Sequence, residues 1–338
     1  MPDWLVFVAP LVAASLVLLL AFAGCGFTKG IPPGPEDLMF YEPPTGQGEF
    51  WSTNGQGGIA LLGETHTDWR TTWRLIVPGY FQKGSGTDLL FYDRDAGEGE
   101  FWSVSGGGIS LIGQTNTGWR NDWTLIVPGN FTEGDYTDLL FYERSTGQGE
   151  FWRSNGDGTI SLIGETNFGW RTSWQMILPG KFSDGPFTDL LFYDRAAGQG
   201  EFWKTNGNGA ISMIGETHTD WRTSWQIILP GLFLEESDYT DLLFYDRGAG
   251  QGEFWRADGN GGISMPGDTN TDWRTSWAQI VPGNFGEQGE YTDLLFYEAR
   301  TGTGEFWAST GGGGVEQIGA SHTDWRNDWF IIRAGYFD

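Results

Sequence analysis

The phrase Asp-Leu-Leu-Phe-Tyr, with Met for the second Leu in its first occurrence, begins at Asp37, Asp88, Asp138, Asp189, Asp241 and Asp293. A fixed vocabulary follows each time. Gly-Glu-Phe-Trp comes next, then an Ile-Ser-Leu-Ile-Gly-type segment, then a Trp-Arg-x-x-Trp loop, and Ile-Val-Pro-Gly-Asn-Phe closes the unit. The chain is therefore six copies of one unit of about fifty residues, and a repeat of that period restricts it to a solenoid, a propeller or an array. Self-similarity overrides the two or three domains that 338 residues would otherwise suggest. Residues 37–338 read as one repeat domain, and residues 1–36 as an N-terminal appendage.

Each unit reads as four strands. In the copy that starts at Asp138, Asp138–Tyr142 is a short apolar run with aromatic ends, followed by turn residues Arg-Ser-Thr-Gly-Gln-Gly. Glu150–Arg153 alternates, with Glu150 and Trp152 on one face and Phe151 on the other. Asn155-Gly156-Asp157-Gly158 is a hairpin turn. Thr159–Ile163 is a third strand ended by Gly164, and Trp170–Leu178 a fourth stopped by Pro179-Gly180. Nothing has helical period, so the expected fold is all-β, a six-bladed propeller of four-stranded antiparallel blades. Copies differ in length only in the hairpin before the third strand and in the loop after Gly-x-Phe, where indels belong.

The chain opens on an Asp-Leu strand and stops just after Gly335-Tyr336-Phe337. Pairing Trp329–Tyr336 with the blade begun by Asp37 closes the ring and removes two open edges. The Ile-Val-Pro-Gly strand is then expected to line the channel, and the Ile-Ser-Leu-Ile strand to lie outermost. No polar residue is expected to break the sixfold pattern near the channel.

A formal charge of −25 argues against nucleic acid, whose phosphates are bound by Lys and Arg. The single cysteine, Cys25, lies outside the repeats, so no disulfide framework exists. Residues 4–24 carry no charge and are long enough to cross a bilayer as a helix. A retained transmembrane anchor is the preferred reading. The alternative is a cleaved signal whose end, Phe22-Ala23-Gly24-Cys25, resembles a bacterial lipobox with Phe in place of Leu and would leave Cys25 lipidated. Asp3 and Lys29 would put the repeats in the cytoplasm by charge, but the acidic, lysine-poor repeats fit an extracytoplasmic location better. Ile31–Glu36 is a stiff Pro-rich linker.

Eighteen of the nineteen tryptophans are repeat positions. The set after Glu-Phe (Trp51, Trp102, Trp152, Trp203, Trp255, Trp307) and the last set (Trp73, Trp123, Trp174, Trp225, Trp277, Trp329) are expected to pack between blades. The Trp-Arg set follows a polar loop, so an exposed indole edge there could stack on a sugar ring. Candidate ligand-binding residues are therefore Trp69 and Arg70, Trp119 and Arg120, Trp170 and Arg171, Trp221 and Arg222, Trp273 and Arg274, and Trp325 and Arg326. The arginines could instead pair with Glu49, Glu100, Glu150, Glu201, Glu253 and Glu305 as ion pairs repeated within blades. The same loop carries His66, His218 and His322 in three copies and Asn116, Asn167 and Asn270 in the others. Asn replaces His as a hydrogen-bonding group but not as a zinc ligand or general base, which speaks against catalysis and metal and suits loop capping or hydroxyl recognition.

The stretch Gly129–Leu139, Gly-Asn-Phe-Thr-Glu-Gly-Asp-Tyr-Thr-Asp-Leu, resembles the FG-GAP/VCBS repeat of bacterial and integrin propellers. The Trp- and Gly-rich blades are similar to propeller lectins of the tachylectin and PLL kind. The resemblance implies a propeller, sugars bound between blades, and in many cases calcium in the loop. Asn130, Thr132 and Gly134 stand where calcium ligands alternate, however, and the six Asp-Leu aspartates are expected to accept backbone N–H bonds instead. No cofactor is expected.

Three functions remain on the sequence. The leading one is a membrane-anchored, multivalent binding propeller for carbohydrate or another hydroxyl-rich ligand. A structural or protein-interaction scaffold at the cell surface is the alternative. An enzyme comes last, because repeated copies supply no residues with distinct roles and separated pKa values.

Overall fold

The computed structural model describes residues 34–287 and 289–338; the expected anchor, residues 4–24, and Cys25 lie outside them. Among the described residues, no helix is long and apolar enough to cross a membrane. They form twenty-four strands, β1–β24 in chain order, arranged as six four-stranded antiparallel sheets. The first blade runs β24 (Ile331–Gly335), β1 (Asp37–Glu42), β2 (Gln47–Thr53) and β3 (Ile59–His66). The C-terminal strand thus pairs with the first, with Asp37 opposite Gly335 and Tyr41 opposite Ile331. The expected closure is present.

Blades 2 to 6 take their strands in sequence. Their innermost strands are β4 (Trp73–Gly79), β8 (Leu125–Gly129), β12 (Met176–Gly180), β16 (Ile227–Gly231) and β20 (Gln279–Gly283). These five and β24 contact one another around the axis. The Asp-Leu-Leu-Phe-Tyr strand beside each is buried at every residue. Sheet pleating sends its side chains alternately into the two neighbouring interfaces, which explains an apolar run without alternation.

Two strand boundaries differ from expectation. The third strand of the Asp138 copy, β11 (Ile160–Asn167), continues across Gly164 instead of ending there. Gly164 has φ 68°, and the register with the second strand shifts between Gly149 and Phe151, so this glycine bulges the strand. The fourth strand begins at Met176 rather than Trp170, because Trp170–Gln175 is the arc that carries the chain from the outer edge of one blade to the axis of the next. Pro179 and Gly180 do not stop this strand; Pro179 sits in the ladder opposite Leu190. Proline is tolerated because the innermost strand is an edge strand with one side unpaired.

Each Asp-Leu aspartate is a buried latch. Asp88 Oδ2 accepts the backbone N–H groups of Phe81 and Gln82 at 2.8 and 3.0 Å, and Asp138 Oδ2 those of Phe131 and Thr132. The preceding threonine ties each blade to the next: Thr137 N donates to Tyr80 O, and Tyr80 N donates to Thr137 Oγ1. In the first copy Glu36 replaces the threonine. Its carboxylate accepts Asn284 N at 2.7 Å and its N–H donates to Asn284 O. The last residue of the expected linker therefore already belongs to the ring.

Two polar residues do break the sixfold pattern on the innermost strands. Gln279 stands where the others carry Leu75, Leu125, Met176, Ile227 and Ile331, and its side-chain oxygen accepts from Ile332 N. Arg333 in β24 stands where the other innermost strands carry Val77, Val127, Leu178, Leu229 and Val281. It is 4 % exposed, donates to Ile76 O and Ile332 O, and has no carboxylate within ion-pair distance among the described residues. Burial alone pulls its guanidinium down to about 9.

Candidate functional site

The sequence-derived residues converge at the seams between blades. The Trp-Arg loop leaves the outer strand of one blade and enters the innermost strand of the next, so each loop lies over a seam. At the seam of blades 4 and 5, Trp221, Arg222, Trp225, Phe244, Glu253, Trp255 and Thr269 line a cleft of about 450 Å³. At the next seam Trp273, Arg274, Trp277, Phe296, Glu305, Trp307 and Ser321 line one of about 350 Å³.

The three tryptophan sets have three different jobs. Trp225 and its equivalents are buried under the arginine, whose guanidinium carbon lies 4.5 Å above the Trp225 ring. Trp221 is half-buried and wedged edge-to-face against Phe244, with centroids 5.1 Å apart; Trp69, its equivalent at the first seam, is buried. The indole of Trp221 also covers Gly200, so closely that a Cβ on that glycine would lie 2.4 Å from it. Trp255 and the rest of the Glu-Phe-Trp set, expected to pack between blades, are half-exposed and form the outer cleft wall. Leu61, Leu111, Leu162 and Met213, opposite four of these indoles in the outer strand, extend that wall as an exposed apolar rim.

The polar floor is the glutamate two residues before that indole. Trp255 Nε1 donates to Glu253 Oε2 at 3.1 Å, and the Thr269 hydroxyl donates to Oε1 at 3.0 Å. The same pair of donors holds the glutamate at all six seams, with Ser321 replacing threonine at the last. Indole and carboxylate are thus locked together before any ligand arrives. The sequence signal was the i, i+2 spacing of Glu and Trp on one strand face, which brings both to one wall.

The arginines pair, but not within one repeat. Arg70, Arg171, Arg222 and Arg274 reach the glutamate of the following copy: Glu100, Glu201, Glu253 and Glu305. The tyrosine of each Asp-Leu-Leu-Phe-Tyr strand fixes the loop from below. Tyr142 Oη donates to Arg171 O at 2.6 Å, and burial pushes its pKa up to about 12, so it stays a donor.

The His/Asn position is a clamp. His66, His218 and His322 Nε2 lie 2.9, 2.7 and 2.7 Å from the carbonyls of Gly107, Gly261 and Gly57. Asn116, Asn167 and Asn270 Nδ2 donate to Gly158, Gly209 and Gly313. Every contact crosses to the hairpin of the next blade, and His322 to Gly57 completes the circle. His and Asn alternate because each can satisfy one backbone carbonyl at that distance. Of the candidate residues, the structure brings tryptophan and arginine into the clefts; the His/Asn groups serve as seam bonds, and His218 also lines the cleft between blades 4 and 5.

No family model matches the sequence, and no curated protein matches it. Solved structures match in fold. A lectin from Agrocybe aegerita that recognises non-reducing terminal N-acetylglucosamine aligns over 90 % of this chain and 85 % of its own, with TM-score 0.54 and 14 % identity. A Bacteroides fragilis protein described as a 6-phosphogluconolactonase aligns over 89 % and 98 %, with TM-score 0.56 and 10 % identity. A Bacteroides uniformis protein of the same description gives 0.52 at 13 % identity. At such identities the likeness establishes a propeller and nothing finer.

Proposed function

We propose that the chain is a multivalent glycan-binding propeller, each seam cleft taking one sugar ring. The carrying observation is the pairing, in one cleft, of the half-exposed Trp255 indole with the exposed Arg222 guanidinium, which the buried Glu253 carboxylate holds in place. An aromatic face accepts the C–H side of a pyranose, and a guanidinium donates to its hydroxyls. Similar clefts repeated on one rigid body raise weak affinities through avidity. The fold shared with a lectin is consistent with this reading, as is the resemblance to FG-GAP/VCBS and tachylectin/PLL-type blades. The reading is of a binder without catalytic function. The uncharged run 4–24 would tether it to a membrane with the propeller on the extracytoplasmic side.

A protein-interaction scaffold is the second reading, favoured by Phe168. This ring is 72 % exposed in a loop where the other copies carry threonine. A glycan array separates the two. Binding to a defined glycan that weakens in Trp255→Ala, with melting temperature retained, supports the first reading; an array without hits overturns it.

A further inference from the structure

The six seams are not equivalent. In four of them the arginine loop reads Arg-Thr-Thr-Trp or Arg-Thr-Ser-Trp, but after Trp119 and Trp325 it reads Arg-Asn-Asp-Trp. Those two aspartates capture the arginine. Arg120 Nη2 lies 2.8 Å from Asp122 and 3.5 Å from Glu143, and Arg326 Nη2 lies 2.9 Å from Asp328 and 3.1 Å from Glu42. Neither makes an ion pair with the cleft glutamate of its own seam, Glu150 or Glu49, although Arg171, Arg222 and Arg274 all do so with theirs. Burial agrees independently. Glu100, Glu201, Glu253 and Glu305 are 2–5 % exposed beneath their guanidinium, whereas Glu49 and Glu150 are half-exposed.

Each released carboxylate still rests between an indole N–H and a threonine hydroxyl: Trp152 and Thr166 for Glu150, Trp51 and Thr65 for Glu49. The local charge count also changes. The captured guanidinium is shared with two other carboxylates, so the cleft glutamate lacks the direct guanidinium contact that covers Glu253 and faces the aromatic walls more openly. Aromatic faces with one accessible carboxylate recognise an organic ammonium, by cation–π attraction and a charge-assisted hydrogen bond.

We propose that the clefts at Glu150 (blades 2 and 3) and Glu49 (blades 6 and 1) form a second class of site selective for a cationic amino sugar, while the four arginine-covered clefts take neutral sugars. This inference rests on the glycan-binding reading and narrows its ligand. Asp122 and Asp328 are the specificity switch, acting through the arginine and touching no ligand themselves.

The test is calorimetric titration of the whole protein at pH 6 with methyl glucosaminide, an amine, and with its neutral N-acetylated counterpart. The amine is expected to fill two sites per chain. Glu49→Gln with Glu150→Gln should weaken it about tenfold, while the N-acetylated glycoside binds as before. Asp122→Ser with Asp328→Ser should do the same by letting Arg120 and Arg326 return to the glutamates, which separates the switch from a general loss of fold. Amine binding at all six sites, or at unchanged affinity in both double variants, overturns the two-class inference and leaves glycan binding standing. Binding of neither glycoside overturns this inference, whereas the glycan reading itself falls only with an array without hits.

Discussion

Gly200 has no side chain because the indole of Trp221 occupies the place where one would go, and the other five seams repeat the arrangement. Gly200→Ala puts a Cβ 2.4 Å from a wedged ring that cannot swing clear of Phe244. The expected cost is about 1–3 kcal/mol, as for overpacking a filled core. Thermal unfolding measures it, and an unchanged melting temperature would mean that the indole is free to move. Arg333 predicts the opposite sign. A buried charge without a counter-ion is unfavourable, and the other five copies show that Val or Leu fits the position. Arg333→Leu should leave stability unchanged or raise it by about 1 kcal/mol, read as the denaturant midpoint. At this scale the sequence betrayed where the tryptophans recur but not which face each presents. Trp221 and Trp255 are equally periodic, yet one wedges a seam and the other walls a cleft. Arg333 was visible as Ile-Ile-Arg-Ala-Gly against Ile-Val-Pro-Gly, but only alignment within the blade turned that mismatch into a buried charge.

Among elements, the seam between blades matters more than the blade. At or beyond the end of each outer strand a His or Asn donor crosses to the next hairpin, and the residue after each innermost strand is matched by the next threonine, or by Glu36 at the seam of blades 6 and 1. His218→Asn should be close to neutral, because Asn167 and Asn270 make the same bond in equivalent places. His218→Ala strands the Gly261 carbonyl and should cost about 1–2 kcal/mol. The difference between the two variants is the diagnostic: equal losses would assign the position to ring packing on Trp221 and not to the bond. Blade 5 is an internal control for how little the outer strand itself contributes. Pro266 cuts its last strand, β19, to Ile263–Ser264, yet Asn270 still pairs with Gly252 and still clamps Gly313. Strand count, order and the closing pair followed from the repeat vocabulary. Strand ends did not, since Gly164 signals a bulge and a stop equally well, and a Pro-Gly after an apolar run does not reveal that the strand is an unpaired edge.

For the whole molecule, the six latches make closure sensitive to pH. Burial raises the carboxyls of Asp37, Asp88 and Asp138 to about 6 from an ordinary 3.8, and that of Glu36, which bonds the N-terminal end of the ring to Asn284, to about 7. Asp189, Asp241 and Asp293 shift the same way for the same reason. A carboxyl raised on folding binds more protons in the folded than in the unfolded chain between its two pKa values, so stability falls as pH rises through that window. These groups should therefore stabilise the ring most at about pH 4 and below and lose that contribution from there up to about pH 7, above which they are ionised in both states and contribute no further slope. Self-repulsion at a formal charge of −25 acts in the same direction, because protonation relieves it. Asp138→Asn tells the two apart: the amide oxygen can still accept from Phe131 and Thr132, so the fold is kept while one titrating latch is removed. Its melting temperature should vary less between pH 5 and 7 than that of the parent, with the two converging toward acid, where the parent's aspartate is also neutral. A parent profile that is flat or rises with pH over this range would mean that the latches are solvated enough to ionise freely, and that closure is held by the β24–β1 ladder and the seam clamps alone.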